Sequence, residues 1–351
     1  MSYLRAYSFH GVYCHPQNSK DAIGDCPFCG TSDHFSVHMS TGMFRCFVCS
    51  TKGNLYVFLR RKWEKLLSDF WSDPRLAWKR LKSLAAERGI NSHVLKDRGM
   101  VYDADLRHWV LPIFAPARNS DGTLNLVAPR KLVNLKRWVR INGKRYLHGT
   151  FTCATHLYDW DRVAYERLSA MASSDLVSSL PRTHDGYRLS GVCSRLRPRV
   201  LVAEGEWDGL ALAASDLAAS ETVRPAIVSV PGVDSCKPDW LESLYSELGD
   251  DTEVVWLFDN DDAGILGYES LCHKLRLFAG WQPTSQSSDT LGRIADRLGR
   301  LAERTRFLVW PKDKPYGYDI RDLCRDLNHD GSAILDYLEP HLKRRKIHVE
   351  A

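Results

Sequence analysis

"CPFCGTSDHFSVHMSTGMFRCFVC" runs from Cys26 to Cys49 and holds two Cys-x-x-Cys pairs with no other cysteine between them. A Cys-x-x-Cys turn aims two thiolates at one centre. Two such turns close a tetrahedral site of the kind structural zinc occupies. With Cys26, Cys29, Cys46 and Cys49 all acting as ligands, no position remains for a catalytic water, so the ion holds structure. Such sites bring about 10–16 kcal/mol of apparent binding energy. Between the pairs, "FSVHM", a polar "STG" and "MFRCF" predict two strands and a turn, the hairpin of a zinc ribbon. A redox pair or free core cysteines are the alternatives, and the doubled spacing speaks against both. His34 and His38 read as exposed hairpin residues, and Cys14 with His15 is a weaker candidate outside the loop.

A ribbon this small has little core of its own, and its business is binding nucleic acid or protein. Arg45, Lys52, Arg60, Arg61, Lys62 and Lys65 follow, mixed with Phe44, Phe47, Tyr56, Phe58 and Trp63. Cations for phosphates and flat faces for bases are what a single strand needs. The opposing reading is the apolar filling of a small domain under a solvated face.

The chain has 351 residues, 44% hydrophobic and 26% charged, enough for two or three domains with real cores. No run approaches the length of a membrane span, and the start, "MSYLRAYSFHGVYCHPQ", lacks a signal peptide's apolar segment. A cytoplasmic protein is expected, in which ten cysteines point to metal rather than disulfides. The net charge of +5 conceals an asymmetry. Residues 1–150 carry 24 Lys and Arg against 11 acids, and residues 151–351 carry 24 against 32. A basic front half suits a polyanion, and an acidic back half suits cations.

Residues 60–98 show helical periodicity broken at Asp73-Pro74 and Gly89, which predicts two or three helices. From 100 to 158 the pattern is of strands, with turns at Gly122 and Gly143. No acid occurs between Asp121 and Asp159, while Arg130, Lys131, Lys136, Arg137, Arg140, Lys144 and Arg145 do. Such a window reads as a phosphate track. Residues 165–198 are Ser-rich and irregular and read as an insertion or linker.

At 199 strand and helix begin to alternate. "RVLVAEG", "AIVSVPG", "EVVWLFDNDDAG" and "TRFLVWP" are short apolar strands with helical stretches between them, which predicts a parallel sheet. Ligands of such sheets bind at the carboxyl ends of the strands, where Glu204, Asp259 and Asp261 fall. Three acids converging there would repel unless a hard divalent cation joined them. The competing reading has Asp261 or Asp262 as a helix cap before Ala263.

These residues resemble DnaG-type primases of bacteria and phages, in which a zinc-binding domain precedes a TOPRIM catalytic core. "CFVCSTKGNLYVFL" is similar to the family's second zinc knuckle. "AAERGINSHVLKDRGMVY" and "RYLHGTFTCATHLYDWDRV" are similar to passages leading into the polymerase core. "LVAEGEWDGLALA", "WLFDNDDAGILGYESL" and "WPKDKPYGYDIRDL" are similar to its three acidic motifs. The resemblance spans residues 20–340 in the family's order.

It implies an α/β multidomain chain: a zinc ribbon (1–60), a helical linker (61–99), a basic α+β subdomain (100–198), a TOPRIM subdomain (199–315) and a short helical tail (316–351). It implies synthesis of short RNA primers from NTPs on a single-stranded DNA template, with zinc in the ribbon and one or two Mg or Mn ions at Glu204, Asp259, Asp261 and Asp319. Asp322 would lie at the third motif. Arg130, Lys144 and Arg145 would face template or nucleotide, and the basic window and the ribbon's basic and aromatic surface add Lys131, Arg137, Arg140, Arg45, Lys52 and Trp63 as nucleic-acid contacts. A separate replicative helicase would be the partner, since no GxxxxGK[ST] loop occurs in the sequence. Two departures stand out. Cys29 holds a position where bacterial members commonly have His, as in the phage pattern, and Tyr318 stands where the third motif usually has Lys. Rival readings are a TOPRIM nuclease or topoisomerase-like enzyme, and a zinc and TOPRIM binding module without catalysis.

Overall fold

The computed structural model describes residues 3–121, 125, 130–141, 144–150, 153, 158–159, 199–215, 217, 225–232, 236–247, 252–280 and 288–344. The predicted insertion at 165–198 and the turns at Gly122 and Gly143 lie outside them. Two compact units are present: Met1–Glu87 with Ser92–Ala115 and Arg130–His156, and Arg88–Asn91 with Pro116–Pro129 and Leu157–Ala351.

The first unit opens with α1 (Leu4–Ser8) and an antiparallel sheet of β1 (Cys14–Pro16), β2 (Asp21–Gly24), β3 (Phe35–His38), β4 (Phe44–Cys46) and β5 (Lys52–Gly53), in that order. The predicted hairpin is β3–β4, with Phe35 opposite Cys46 and Val37 opposite Phe44. Strands β1 and β2 are too short for alternation to announce them. Phe35, Val37 and Phe44 point inward onto Tyr7, Phe28 and Phe58, with the Tyr7 and Phe58 rings 4.6 Å apart. Phe44 and Phe58, read in the sequence as faces for bases, are therefore core, 3% and 0% exposed. A small sheet without other apolar mass needs them there.

Three helices follow: α2 (Leu55–Trp71), α3 (Pro74–Arg88) and α4 (Ser92–Asp97). Asn54 caps α2 by accepting from the Val57 N–H, so the helix begins five residues before position 60. The breaks fall as predicted. Asp73 accepts from the Arg75 and Leu76 N–H groups, Pro74 starts α3, and Gly89 turns out of it at φ +63°. A four-stranded antiparallel meander completes the unit: β6 (Val101–Asp103), β7 (His108–Ala115), β8 (Lys131–Ile141) and β9 (Lys144–Gly149).

The second unit is built on a five-stranded sheet of order β11-β10-β12-β13-β14. Strands β10 (Arg199–Ala203), β11 (Ala226–Ser229), β12 (Glu253–Leu257) and β13 (Thr305–Leu308) are parallel, as the apolar runs predict. Helices α5 (Glu206–Ala214), α6 (Pro238–Glu242, continuing as a π-helical turn over Ser243–Glu247), α7 (Asp262–Phe278) and α8 (Ser288–Arg304) lie between them in sequence. Val200, Val202, Val254, Trp256 and Phe307 from the sheet pack against Trp240, Leu244, Leu271 and Leu275. After α9 (Ile320–Asp326) and α10 (Gly331–His341), β14 (Leu342–Lys343) returns antiparallel to β13. The expected helical tail thus also contributes a strand. Glu339 fastens it through Arg306 at 2.7 Å and Arg199 at 3.0 Å. No helix among the described residues is long and apolar enough to cross a membrane.

Candidate functional site

The two knuckles share one local plan, Cys-x-x-Cys-(Gly or Ser)-Thr. The first cysteine's N–H donates to the threonine carbonyl, Cys26 to Thr31 at 3.0 Å and Cys46 to Thr51 at 2.8 Å. The residue after the second cysteine turns left-handed, Gly30 at φ +73° and Ser50 at φ +58°. Each tight turn brings its two thiols to one side. All four Sγ atoms lie within 4.8 Å of one another, with Cys26–Cys49 at 3.9 Å and Cys29–Cys46 at 3.8 Å. A tetrahedron with Zn–S bonds of about 2.3 Å has sulfurs about 3.8 Å apart, so the four thiols fit zinc. The Thr31 hydroxyl, 3.4 Å from Cys29 Sγ, draws that thiol's pKa down to about 6, and Thr51 lowers Cys49. Burial pushes Cys26 up to about 12, a cost that a bound cation removes. His34 and His38 stay outside the group, held by the Ser32 carbonyl and by the Ser40 and Thr41 hydroxyls.

Across the ribbon's outer face, Ser36, Arg45 and Lys52 stand opposite one another on β3, β4 and β5. Arg45 and Lys52 are exposed, and the Arg45 guanidinium lies 5.3 Å from the centre of the exposed Phe47 ring. On β8 and just before it, Lys131 sits over Tyr56 and Arg130 over Phe114, both cations exposed. Arg140 and Lys144 face Arg145 and Ile141 along the β8–β9 pairing, and the side chains of these four lie outside the described residues.

Two expected contacts, Arg137 and Lys62, are corrected, and Trp63 is partly covered. Arg137 is fully buried. It donates to Asp103 Oδ2 at 2.9 Å and to His10 Nδ1 at 3.2 Å, so it braces the unit's interior instead of meeting phosphate. Lys62 is 7% exposed and lies 4.0 Å from the same Asp103 carboxylate. Trp63 is half-buried, edge-on to Phe114, with its Nε1 donating to the Gly99 carbonyl at 3.4 Å. Asp103 is an interior acid that tied these cations inward, which strand alternation alone could not reveal.

In the second unit, β10 and β12 are neighbours in register, Ala203 beside Leu257. Glu204 and Asp259 therefore leave the sheet side by side. The Asp259 N–H donates to Glu204 Oε2 at 2.9 Å. Asp261 is extended, φ −146° and ψ 179°, and accepts from the Gly264 N–H at 2.8 Å, capping α7. The cap reading is thus the one seen at Asp261, and Asp262 is the first helical residue. Asp319 caps α9 by accepting from the Asp322 N–H, and Asp322 accepts from the Asp319 N–H in return. The 311–318 loop is fixed to this corner. Asn260 and Tyr318 exchange backbone contacts, and the Asn260 amide donates to the Lys314 and Pro315 carbonyls.

Sequence reasoning missed two members. Asp208, in the first turn of α5, is buried, and Arg321 of α9 donates to its Oδ1 at 2.9 Å while also pairing with Asp319. The signal was an acid four residues after Glu204, in the first turn of α5. Burial, with the charges of Asp208, Glu204, Asp319 and Asp261 adding to it, pushes Asp259 up to about 9. Burial likewise raises Asp208 to about 7 against the pull of Arg321, and it raises Glu204. Asp259 Oδ1 is buried with no hydrogen-bond partner. Hard oxygens that repel one another, one of them orphaned, suit Mg or Mn. The acids are less drawn in than the thiols. Among the described residues, the four cysteines are the one metal-capable group with ligand atoms all that close.

No family model matches the chain, and no curated protein matches it. Several solved structures are similar to it, two of which follow. One is the primase fragment of the bacteriophage T7 primase-helicase protein, at 14% identity and TM-score 0.37, covering 90% of this chain and 98% of that one. The other is a bacteriophage T7 lagging-strand DNA polymerase with the primase domains of two gp4 subunits bound to an RNA/DNA hybrid and dTTP. It stands at 14% identity and TM-score 0.35, covering 72% of this chain and 89% of that one. At these TM-scores the functional reading rests on the chain's own residues.

Proposed function

We propose that the chain is a primase-type nucleotidyltransferase that joins NTPs into short RNA on a single-stranded DNA template. What supports this reading most is Asp259, just beyond the end of β12: the charges of Asp208, Glu204, Asp319 and Asp261 all act on it, and it keeps a buried oxygen without a partner. Glu204, Asp259, Asp261 and Asp319 would hold one or two Mg or Mn ions, which activate a 3′-hydroxyl and neutralise departing pyrophosphate. The chain's own part is placement. Arg321 and the caps at Asp261 and Asp319 fix the carboxylates before substrate arrives, so little reorganisation is left for the reaction. No side-chain nucleophile is required.

In this reading the ribbon (1–60) selects the start site, the helices (61–99) connect it, and residues 100–198 supply cations for template and triphosphate. Residues 199–315 carry the chemistry, backed by 316–351. Arg45, Lys52, Arg130, Lys131, Arg140, Lys144 and Arg145 are the proposed phosphate contacts, and a separate replicative helicase is the proposed partner. The test supplies single-stranded DNA, labelled NTPs and Mg. Short RNA supports the proposal, DNA fragments favour a nuclease, and binding without product favours a non-catalytic module.

A further inference from the structure

The helices between the ribbon and the second sheet carry more than a connection requires. Rings run in contact from α4 through α3 and α2 to β7 and β6. His93 and Trp78 have centroids 4.9 Å apart, Trp78 and Trp71 5.8 Å, Trp71 and Phe70 5.4 Å. Phe70 and Trp109 follow at 5.9 Å, and Trp109 and Tyr102 at 5.3 Å. Phe70 is buried, while the other rings keep part of their surface in solvent. Cations sit on this wall. Lys96 Nζ lies 5.4 Å from the Trp78 centroid and 5.6 Å from that of Trp71, and the Arg80 guanidinium lies 4.7 Å from Tyr102. A cavity of about 240 Å³ opens between α3 and the β6–β7 pair, lined by Arg80, Ser83, Leu84, Glu87, Tyr102 and Trp109.

Packing alone would explain apolar residues between these elements, but Leu, Ile or Val would serve it as well. Nor does packing call for the excess of cations that α3 carries beside the rings. From Pro74 to Glu87, helix α3 carries Arg75, Lys79, Arg80 and Lys82 against the single acid Glu87. Rings with exposed edges, cations beside them and a ring-sized cleft match a polyanion with flat faces. The cleft falls below the ~300–1,000 Å³ of sites that enclose whole drug-sized ligands, so it has room for a single flat ring and not for a whole nucleotide.

We infer that this wall is a second single-stranded DNA site, in which Trp109 and Tyr102 receive a base in the cleft and Lys96, Arg80 and their neighbours on α3 hold the backbone. It shares only the class of ligand with the preceding proposal, and its test reads binding rather than synthesis, so either can fail alone.

The full chain, zinc-loaded, is titrated with labelled oligo(dT) and with an abasic chain of equal length and charge, by anisotropy and by quenching of tryptophan emission. Tighter binding of oligo(dT) and quenching by it alone are expected. Replacing Trp109→Ala with Tyr102→Ala should cost oligo(dT) at least about fivefold and leave the abasic chain unaffected, since stacking is lost and charge is not. Those residues also pack, so a second variant removes no ring. Arg80→Glu with Lys96→Glu should weaken both probes and reduce quenching. Equal binding of the two probes by the wild type overturns the inference. So does wild-type affinity in the charge-reversed variant, the outcome expected if the wall only packs helices or docks a protein.

Discussion

The backbone N–H of Asp259 donates to Oε2 of Glu204 at 2.9 Å, while Asp259's own Oδ1 is buried and meets no donor. One strand end thus steadies its neighbour's acid and leaves its own unsatisfied. An oxygen in that condition costs stability unless a cation or proton reaches it.

The sign of the pH dependence follows. Asp259 is raised to about 9 in the fold, against an ordinary carboxylate value near 4 when unfolded, so the folded state holds the proton more tightly. Its contribution is present in full below that ordinary value and is lost as pH rises toward about 9. Asp208 and Glu204 are shifted the same way. In zinc-loaded protein without Mg, the melting temperature should fall between pH 5 and 9, and Mg should flatten the fall. Asp259→Asn should melt at least as high as wild type in zinc-loaded, Mg-free buffer at pH 8, yet lose at least ~100-fold in primer synthesis. Thermal melts with and without Mg, beside the synthesis assay, check both halves. Wild-type activity in Asp259→Asn would remove the acids from the reaction.

Removing one thiol separates initiation from chemistry. Cys46→Ser takes away a buried ligand, so bound zinc, measured by metal analysis, should be lost and the ribbon should loosen. De novo primers should fail, while extension of a supplied RNA primer should persist in part. Equal loss of both activities would put the ribbon in the catalytic step.

The parts legible in the sequence are those with a strong local signature. Paired cysteines at fixed spacing marked the metal group, apolar runs ending in acids marked β10 and β12, and Asp73-Pro74 marked the break before α3. What stayed hidden depends on partners far along the chain. Nothing near Arg137 says that Asp103 waits 34 residues earlier, and nothing near Asp208 says that Arg321 comes back to it over 113. Strand β14 shows only two residues and gains its identity from β13.

That difference between buried and exposed cations is measurable. Arg137→Met leaves Asp103 without its closest partner and should destabilise the protein by about 3–5 kcal/mol in a denaturant titration. Its salt dependence of single-strand binding should match wild type wherever the variant is folded. Arg45→Ala with Lys52→Ala should do the reverse. Folding should hold, and the slope of log K against log salt should flatten by about 1.4, from two contacts at about 0.7 each. An unchanged slope in that double variant would make the ribbon's outer face a solvated surface only.

The last expectation concerns a glycine that lets the acids meet. Helix α7 begins so close to the end of β12 that a Cβ on Gly264 would stand 2.1 Å from the Asp259 carbonyl oxygen and 3.1 Å from its nitrogen. No side chain is at fault there, so no rotamer change relieves the clash, and the backbone itself must shift. The Gly264 N–H is also the donor that Asp261 caps, so the shift moves Asp259 and Asp261 relative to one another. Gly264→Ala should therefore cost about 1–3 kcal/mol in urea melts, as overpacking does. Primer synthesis should fall by far more than the unfolded fraction explains, because carboxylates placed for one cation would no longer share it. Zinc content should stay at the wild-type level, since the ribbon belongs to the other unit. A Gly264→Ala protein that melts and synthesises like wild type would mean that this corner tolerates a wider spacing, and the case for a preset acidic site would go with it.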